Sequence, residues 1–303
     1  MSTMKRKPVY VEIEIDTDME RLWEATQTPN MHEQWDLRFS SITYLPKNDN
    51  EPQHFTYTRS LALGKKIEGW GISTGSHEGK QGERTSALHF GTDDVISPIK
   101  EGRGYWKYIP NGKSITFLTQ YDYDANFGKF GRLLDQLLFR PIIGWGTALS
   151  FDVLRRWLEK GEPPYVQYFR FFISWFITFL FSFVWIYHGL IPKILFTHKD
   201  ELSMVKSLAP ISSETTYWIV IFTGVIEVVF GIFWLFYKKK RHLFILQLIV
   251  FPFLTLMAII AQPSVLTHPF NPLTFNLCLL FISLVGFLIS KDVPTATTCK
   301  RKR

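Results

Sequence analysis

The sequence predicts an α+β soluble domain followed by an all-α bundle of four transmembrane helices. The first observation is charge: residues 1–160 carry 21 Lys and Arg against 21 Asp and Glu, whereas residues 161–303 carry 13 against 6. The second is a set of four nearly uncharged apolar runs of membrane-spanning length, all in the later part. With only two cysteines, these features exclude a disordered chain, a collagen, a disulfide scaffold and a freely soluble single domain.

The first strand and the helix after it are the clearest elements of the soluble domain. Apolar and polar residues alternate over 9–15, the period of a strand with one buried face. Thr17 stands three residues before Glu20, the spacing of a capping box, and apolar side chains then recur at helical spacing until Pro29. Six further strand-like runs follow between turn residues, at 42–45, 54–61, 67–76, 84–91, 97–109 and 114–123.

A change of period beyond Asn126 predicts a long closing helix. Leucines recur there at helical spacing, and Pro141 with Gly144 and Gly146 is expected to break or kink the stretch. A strand, a helix, an antiparallel run and a long helix make an α+β order, which one curved sheet gripping a long helix satisfies. Such packing commonly leaves a cavity between the helix and the sheet.

Two segments of this domain carry a resemblance to a known family. The opening VEIEIDTDMERLWEATQTPNMHEQWDLRFSSI and the closing GWGTALSFDVLRRWLEKG resemble the START-like or polyketide-cyclase-like superfamily (SRPBCC), over about residues 8–160. The resemblance implies a helix-grip fold around an apolar pocket. It transfers no catalytic residues, because that superfamily includes lipid carriers, hormone receptors, cyclases and chaperone activators. We therefore expect a START-like domain at 1–160 and a linker at 161–164.

The four apolar runs predict transmembrane helices at 171–190, 217–237, 243–261 and 273–290. At a rise of about 1.5 Å per residue, each is long enough to cross a hydrocarbon layer of about 30 Å. Basic residues gather before the first run, after the second and in a tail at 292–303, so the positive-inside rule predicts that both termini are cytoplasmic. The surplus of basic charge thus indicates orientation toward an anionic inner leaflet and no nucleic-acid partner.

The string FVWIYHGLIPKILFTHKDELSMV, followed by FTGVIEVVFGIFWLF, carries a second resemblance. It is similar to the DoxX-like family of small four-helix membrane proteins, over about residues 165–291. The resemblance implies a multi-pass protein of the bacterial inner membrane, and a few relatives are tied to quinone redox chemistry. A quinone is therefore a possible cofactor, although the sequence itself carries no cysteine pair or cofactor motif.

Glu227 is the strongest candidate for an intramembrane site. It lies at the middle of the second span, where an ionised carboxylate costs about 2.5–3.5 kcal/mol to insert, so it must be protonated, paired or facing a polar cavity. His188, Gln247 and Asn276 are its candidate partners, and a break at Pro192 can free backbone carbonyls nearby. Such a site would hold a quinone headgroup or a proton. The alternative is interhelical hydrogen bonding that only stabilises the bundle.

The densest polar and aromatic cluster of the soluble domain includes Trp35, Asp36 and Arg38, the candidate ligand-pocket residues. Asp36 and Arg38 have two interpretations: they reach the mouth of a pocket, or they pair with each other and cap a helix. The histidines of this domain are scattered without the spacing of metal ligands, so the sequence predicts no metal site.

The stretch 127–145 also has two interpretations. Its leucines, aromatics and basic residues would let it lie on the inner leaflet as a lid between the pocket and the membrane. Alternatively, the same leucines close the core of the domain.

The function that the sequence favours is binding rather than catalysis. We expect a cytoplasmic domain that binds a hydrophobic small molecule or lipid, as a sensor, carrier or assembly factor, held at the inner membrane by the lipid-embedded helices. One alternative is a membrane subunit of a quinone-linked oxidoreductase that uses Glu227 and His188. Another is a structural protein that binds a membrane-protein partner.

Overall fold

The computed structural model describes residues 7–48, 51–61, 64–126 and 128–302. The chain forms two compact units. We name them the sheet unit, Met1–Tyr168 with Pro294–Arg303, and the helical unit, Phe169–Val293. The sheet unit thus takes in segments from both ends of the chain. Phe127 and Arg303, which open the predicted lid and close the predicted tail, lie outside the described residues.

The described part of the sheet unit is built on seven antiparallel strands in the order β1-β7-β6-β5-β4-β3-β2. The first strand pairs with the last, with Val9 opposite Tyr121, and every other pair joins strands that are neighbours in sequence. All seven predicted strands are confirmed. The bounds are Val9–Ile15 (β1), Ser41–Tyr44 (β2), Gln53–Ser60 (β3), Lys66–Glu78 (β4), Arg84–Gly91 (β5), Ile99–Asn111 (β6) and Ser114–Ala125 (β7).

Two short helices connect β1 to β2, and their bounds are Met19–Gln27 (α1) and Pro29–Trp35 (α2). The residue that caps α1 is Asp18, whose Oδ1 accepts the Arg21 N–H at 2.8 Å. The predicted cap at Thr17 is therefore wrong by one residue, because Asp18 is the last extended residue before the helix and its carboxylate reaches the free N–H. Trp35 is fully buried and donates its indole N–H to the Ala25 carbonyl at 2.9 Å, which ties α2 to α1.

One long helical stretch closes the sheet unit, and its parts are Gly128–Leu134 (α3), a π-helical segment Asp135–Phe139, and Arg140–Lys160 (α4). The break predicted at Gly144 and Gly146 is wrong, since both lie inside α4. The stretch is irregular instead at the π-helical segment, which ends two residues before Pro141, whose missing N–H cannot extend the α-helical ladder. α4 ends at Gly161, where a φ of 69° is a left-handed cap that glycine adopts without strain.

α4 packs on the sheet through its middle. Phe151 stacks on Phe117 of β7 with ring centroids 4.5 Å apart, and the hydroxyls of Thr147 and Tyr121 lie 3.0 Å apart. All residues from 147 to 154 are buried. A single antiparallel sheet packed on one long helix confirms the predicted α+β helix-grip class.

The segment after the last helix packs into the sheet unit, a contact that the sequence does not predict. Asp152 of α4, which is fully buried, accepts the Thr295 N–H at 2.8 Å and the Thr298 hydroxyl at 3.0 Å. Lys300 pairs with Glu12 as an antiparallel bridge, with both N–O distances 2.9 Å. We name residues 294–300 the clasp. Much of the predicted basic tail is thus a bound segment that covers the edge strand β1.

The clasp half-buries Cys299, so the reactivity of this thiol reports on docking. Its Sγ donates to the Ala148 carbonyl oxygen at 3.2 Å, and burial raises the pKa of Cys299 to about 12. At pH 8 the reactive thiolate is then about three orders of magnitude scarcer than for a free cysteine. In a Cys278→Ser background, we expect iodoacetamide to label the native protein slowly and the denatured protein rapidly. Rapid labelling of the native protein would mean that the clasp is undocked.

The helical unit is formed by long apolar helices joined by short irregular segments. The bounds are Pro164–His188 (α5, whose first turn lies in the sheet unit), a π-helical segment Gly189–Leu195, Lys199–Leu208 (α6), Ser213–Phe236 (α7), Lys240–Ala261 (α8) and Pro272–Ile289 (α9). Among the described residues, five helical stretches are long and apolar enough to cross a membrane. The first, Gly131–Lys160, belongs to the sheet unit. The four predicted spans correspond to α5, α7, α8 and α9: they start one to seven residues after these helices begin and end within two residues of where the helices end.

Aromatic side chains fill the interior of the helical unit. Trp234 of α7 is fully buried, with its ring 5.2 Å from that of Phe181 and 5.1 Å from that of Phe244. Gly286 of α9 makes room for this cluster, because a Cβ there would lie 2.2 Å from the Phe244 ring. Close packing of this kind stabilises helix association in a lipid environment.

Candidate functional site

An interruption of α5 positions the charged residues of the helical unit. The π-helical segment Gly189–Leu195 contains Pro192, which cannot donate to the helical ladder. α7 packs closely against it, since a Cβ added to Gly189 would lie 2.4 Å from the Gly224 carbonyl oxygen. Glu227, one turn further along α7, therefore lies beside the segment.

Lys193 of this segment is the ion-pair partner of Glu227. Its Nζ lies 3.0 Å from Glu227 Oε2 and 3.3 Å from Glu201 Oε1 of α6, and it donates to the His188 carbonyl oxygen at 3.4 Å. The side chains of the central pair are mostly buried, with 11% of Lys193 and 12% of Glu227 exposed. We name Lys193, Glu201 and Glu227 the charged triad. When both carboxylates are ionised, the charged triad has a net negative charge, because two carboxylates face one ammonium group.

The structure gives Glu227 a different partner from the predicted His188. His188 contributes its backbone carbonyl to Lys193, while its ring packs 5.3 Å from that of Phe275. Lys193 is not among the predicted site residues, because it lies just beyond the predicted end of the first span at 190. The available signal was its position directly after Pro192 in an otherwise apolar stretch.

The other two predicted intramembrane residues form separate pairs between α8 and α9. Gln247 accepts a hydrogen bond from Ser283 at 3.3 Å, and Asn276 donates to Thr255 at 3.0 Å. Gln247 is fully buried. Both contacts fit the bundle-stabilising alternative, in which polar side chains join neighbouring helices.

In the sheet unit, the buried Asp36 forms an ion pair with the half-buried Arg38. Arg38 Nε donates to Asp36 Oδ1 at 2.9 Å, Arg38 Nη2 donates to Oδ2 at 2.6 Å, and His32 Nε2 lies 3.1 Å from Oδ2. Burial alone would raise the pKa of Asp36, but the Arg38 charge and the hydrogen bonds from His32 and Arg38 hold it well below its usual range. The pair therefore contributes stability above the unfolded pKa of about 4, and this contribution is lost as the pH falls toward the folded pKa.

Beside this pair, the helix-facing side of the sheet carries side chains that are only half-buried. Trp106 lies 6.1 Å from Trp35, and Phe90 lies 6.2 Å from Tyr121, so both project toward the helices. Side chains two residues apart on a strand project to the same side, so Leu88 projects with Phe90. Leu88 is also opposite Gly104 of β6, which lies two residues before Trp106. Helices normally cover this side of a sheet, so half-burial means that they leave part of it open. We name the set the aromatic face: Phe39, Tyr57, Leu88, Phe90 and Trp106.

Two polar groups, the Arg38 guanidinium and the Tyr57 hydroxyl, lie at the aromatic face. The Arg38 guanidinium carbon lies 5.6 Å from the ring centres of both Phe39 and Tyr121. Tyr57 donates its hydroxyl to the Gly91 carbonyl at 3.2 Å, and burial raises its pKa to about 12, so the phenol stays neutral. This arrangement offers apolar area, a neutralised arginine and a neutral phenol. Across the described ranges, no three His, Cys, Asp or Glu side chains meet in a metal-binding group.

Two comparisons identify relatives of the helical unit and of most of the chain. Residues 182–284, which contain the charged triad, match the model of the DoxX-like family. The uncharacterized membrane protein YndG of Bacillus subtilis (strain 168) is 48% identical over 189 residues, which make up 61% of this chain and 70% of that protein.

Solved structures resemble the sheet unit at low sequence identity. A STAR-related lipid transfer protein fragment from Xanthomonas axonopodis is 16% identical, with a TM-score of 0.37. The match covers 49% of this chain and 84% of that fragment. A protein of unknown function from Staphylococcus aureus is 14% identical, with a TM-score of 0.37. The match covers 52% of this chain and 98% of that protein's chain.

Proposed function

Because the chain contains a DoxX-like domain and belongs to the same family as the membrane protein YndG, we propose that it is an integral membrane protein whose sheet unit binds a hydrophobic small molecule or a lipid. In this proposal the ligand lies on the aromatic face, between the sheet and α4. Through this binding the protein acts as a sensor, a carrier or an assembly factor. We assign no reaction to the protein.

The half-buried state of the aromatic face is the observation that carries the proposal. An apolar molecule that covers these five residues removes their remaining exposed area from water, which gains about 25 cal/mol per Å². Ligand pockets are lined in this way, by apolar and aromatic side chains with a few polar groups. Arg38 is neutralised by Asp36 and Tyr57 is neutral, so the site favours a mainly apolar ligand over an anionic one.

The clasp supports an arrangement with four membrane crossings. The chain leaves the sheet unit after Tyr168 and returns to it at Pro294, and a return to the same side requires an even number of crossings. The apolar stretch Gly131–Lys160 lies within the sheet unit, so we assign the crossings to α5, α7, α8 and α9. The basic residues that flank these helices favour a cytoplasmic sheet unit and clasp, at the bacterial inner membrane.

Filling the aromatic face should displace the ligand. Leu88→Trp adds an indole on the helix-facing side, opposite Gly104, whereas Ala87→Trp adds the same ring on the other side of β5. We expect the full-length Leu88→Trp protein to retain about tenfold less of the hydrophobic molecule that co-purifies with the native protein, a loss of about 1.4 kcal/mol. The Ala87→Trp protein should retain the native amount.

Solvent extraction followed by mass spectrometry measures the retained molecule per mole of protein. Circular dichroism of both variants checks that the sheet is intact. Equal retention in all three proteins, or no molecule retained by the native protein, would count against a ligand on the aromatic face.

A second candidate is a membrane subunit of a quinone-linked oxidoreductase, and the charged triad is the observation that favours it. Ionisable residues inside a membrane bundle mark ion, proton or cofactor sites more often than structural ones. In that case Glu227→Gln lowers quinone reduction by membranes, while Leu88→Trp leaves it unchanged. The opposite pattern, in which only Leu88→Trp impairs function, would exclude the redox role.

A further inference from the structure

We propose that the sheet unit docks onto an anionic lipid bilayer through the outer side of its closing helix. The side chains concerned lie on α3, the π-helical segment and the start of α4, and we name them the docking face: Leu133, Leu137, Leu138, Ile142 and Trp145. Leu137 is 71% exposed and Leu133 is 54% exposed, although both are large and apolar. Docking does not depend on a bound ligand.

The polarity of this helical stretch is inverted relative to that of an ordinary surface helix. Asp135 is buried and accepts hydrogen bonds from the Tyr123 hydroxyl and from Arg140 Nε, the latter at 3.1 Å. Arg140 also donates to Asp122 Oδ1 at 2.7 Å. Charged groups therefore fix the inner side while leucines face outward, whereas a soluble helix places its apolar side inward. An exposed apolar patch on a well-anchored element marks an interaction surface.

A second exposed apolar element lies next to the start of α3. Val95 is 78% exposed and Ile96 follows it in the loop between β5 and β6. Asn126, two residues before α3, donates its N–H to the Pro98 carbonyl at 3.0 Å and its side-chain amide to the Ser97 carbonyl at 2.8 Å. These bonds hold the loop beside the beginning of the docking face and extend its apolar area.

Basic charge beside the docking face favours anionic lipid as the occupant. Arg140 Nη1 donates to the Lys7 carbonyl oxygen at 2.9 Å, which places the exposed Lys7 next to the start of α4. Lys7 is the last of three consecutive basic residues, and Arg132 of α3 is also exposed. Basic residues next to an apolar helix face are typical of segments that bind anionic membrane surfaces. The same chain carries α5 and α9, to which we assign membrane crossings, so docking needs no separate membrane anchor.

Spin labelling of the full-length protein tests the docking. The protein carries Cys278→Ser and Cys299→Ser and is reconstituted into vesicles of phosphatidylcholine and phosphatidylglycerol, with a nitroxide attached to Leu137→Cys. The matched control is Leu45→Cys, which is also apolar and exposed but follows β2 at the opposite edge of the sheet from β1. We expect the label at 137 to be accessible to oxygen and protected from a water-soluble nickel chelate, at a depth of about 5–10 Å. The label at 45 should be accessible to the chelate.

Four outcomes would overturn the proposal. Equal chelate accessibility at 137 and 45 would mean that the docking face stays in water. Protection of position 137 from both oxygen and the chelate would mean that protein, and not lipid, covers it. Dipolar broadening that grows with protein density would identify a second copy of the chain. Adding Leu138→Asp should raise chelate accessibility at 137 toward that at 45, and no change would also contradict docking.

Discussion

Replacing Lys193 by methionine should destabilise the helical unit by about 3–5 kcal/mol, because the Glu227 carboxylate is left in a mostly buried position without its ion partner. Methionine fills a similar volume, so the loss reflects the unpaired charge and not a cavity. Adding Glu227→Leu removes that charge too, and the double variant should recover most of the loss. Titration of the full-length protein with SDS in mixed micelles, followed by circular dichroism, measures the free energy of unfolding.

The control for this experiment is Lys199→Met, which removes an exposed lysine from neighbouring α6. Its effect should stay within about 0.5 kcal/mol. If the double variant were no more stable than Lys193→Met alone, the charged triad would not be the source of the loss. If the double variant is stable, its quinone reduction in membranes shows the role of the triad. Native quinone reduction would assign the triad a structural role, and lost quinone reduction would assign it a functional one.

Replacing Asp152 by alanine should cost the sheet unit about 2–4 kcal/mol and release the clasp. The carboxylate accepts hydrogen bonds from Arg155 Nη2 at 2.7 Å and Arg156 Nε at 3.3 Å, besides those from Thr295 and Thr298. Its loss leaves two guanidinium groups and a backbone N–H without their central acceptor. The urea midpoint of the sheet unit reports the stability, and iodoacetamide labelling of Cys299 reports the release.

Glu159→Ala serves as the matched control for Asp152. Glu159 accepts from Arg155 Nη1 at 2.8 Å and lies on the same helix, but it makes no bond to the clasp among the described contacts. Its removal should lower stability by a smaller amount and leave Cys299 protected. If Asp152→Ala also left Cys299 protected, residues 294–300 would be held by other contacts, and the argument for an even number of membrane crossings would lose its main support.

The strands were predictable because their side chains alternate, and alternation is a local signal. The run 9–15 identifies β1 without any knowledge of its partner, although that partner, β7, lies about a hundred residues away. Local rules were less exact where two residues compete for one role. Thr17 and Asp18 are both good caps, and the structure selects Asp18. Gly144 and Gly146 lower helix propensity, yet packing of α4 on the sheet keeps them helical.

The charged triad and the clasp were less accessible to sequence reasoning, because each depends on contacts between distant segments. Glu227 was identified from its cost in a membrane, but the choice of Lys193 as its partner follows from the interrupted end of α5 and the close approach of Gly189 to Gly224. Asp152 looks like an ordinary helix residue, and its bonds to Thr295 and Thr298 span more than 140 residues. The aromatic face was missed for the same reason, since half-burial is a property of the assembled sheet.

Photocrosslinking in intact cells tests most directly whether a hydrophobic molecule lies on the aromatic face. The photoreactive residue p-benzoylphenylalanine is placed at Phe90, where it retains the native ring on the helix-facing side of β5, or at Ala87, on the other side. We predict that irradiation attaches a small hydrophobic adduct to the protein labelled at 90, visible as a discrete mass increase of the purified full-length chain, and none to the protein labelled at 87. No adduct at 90, or the same adduct at both positions, would contradict a ligand bound between the sheet and α4.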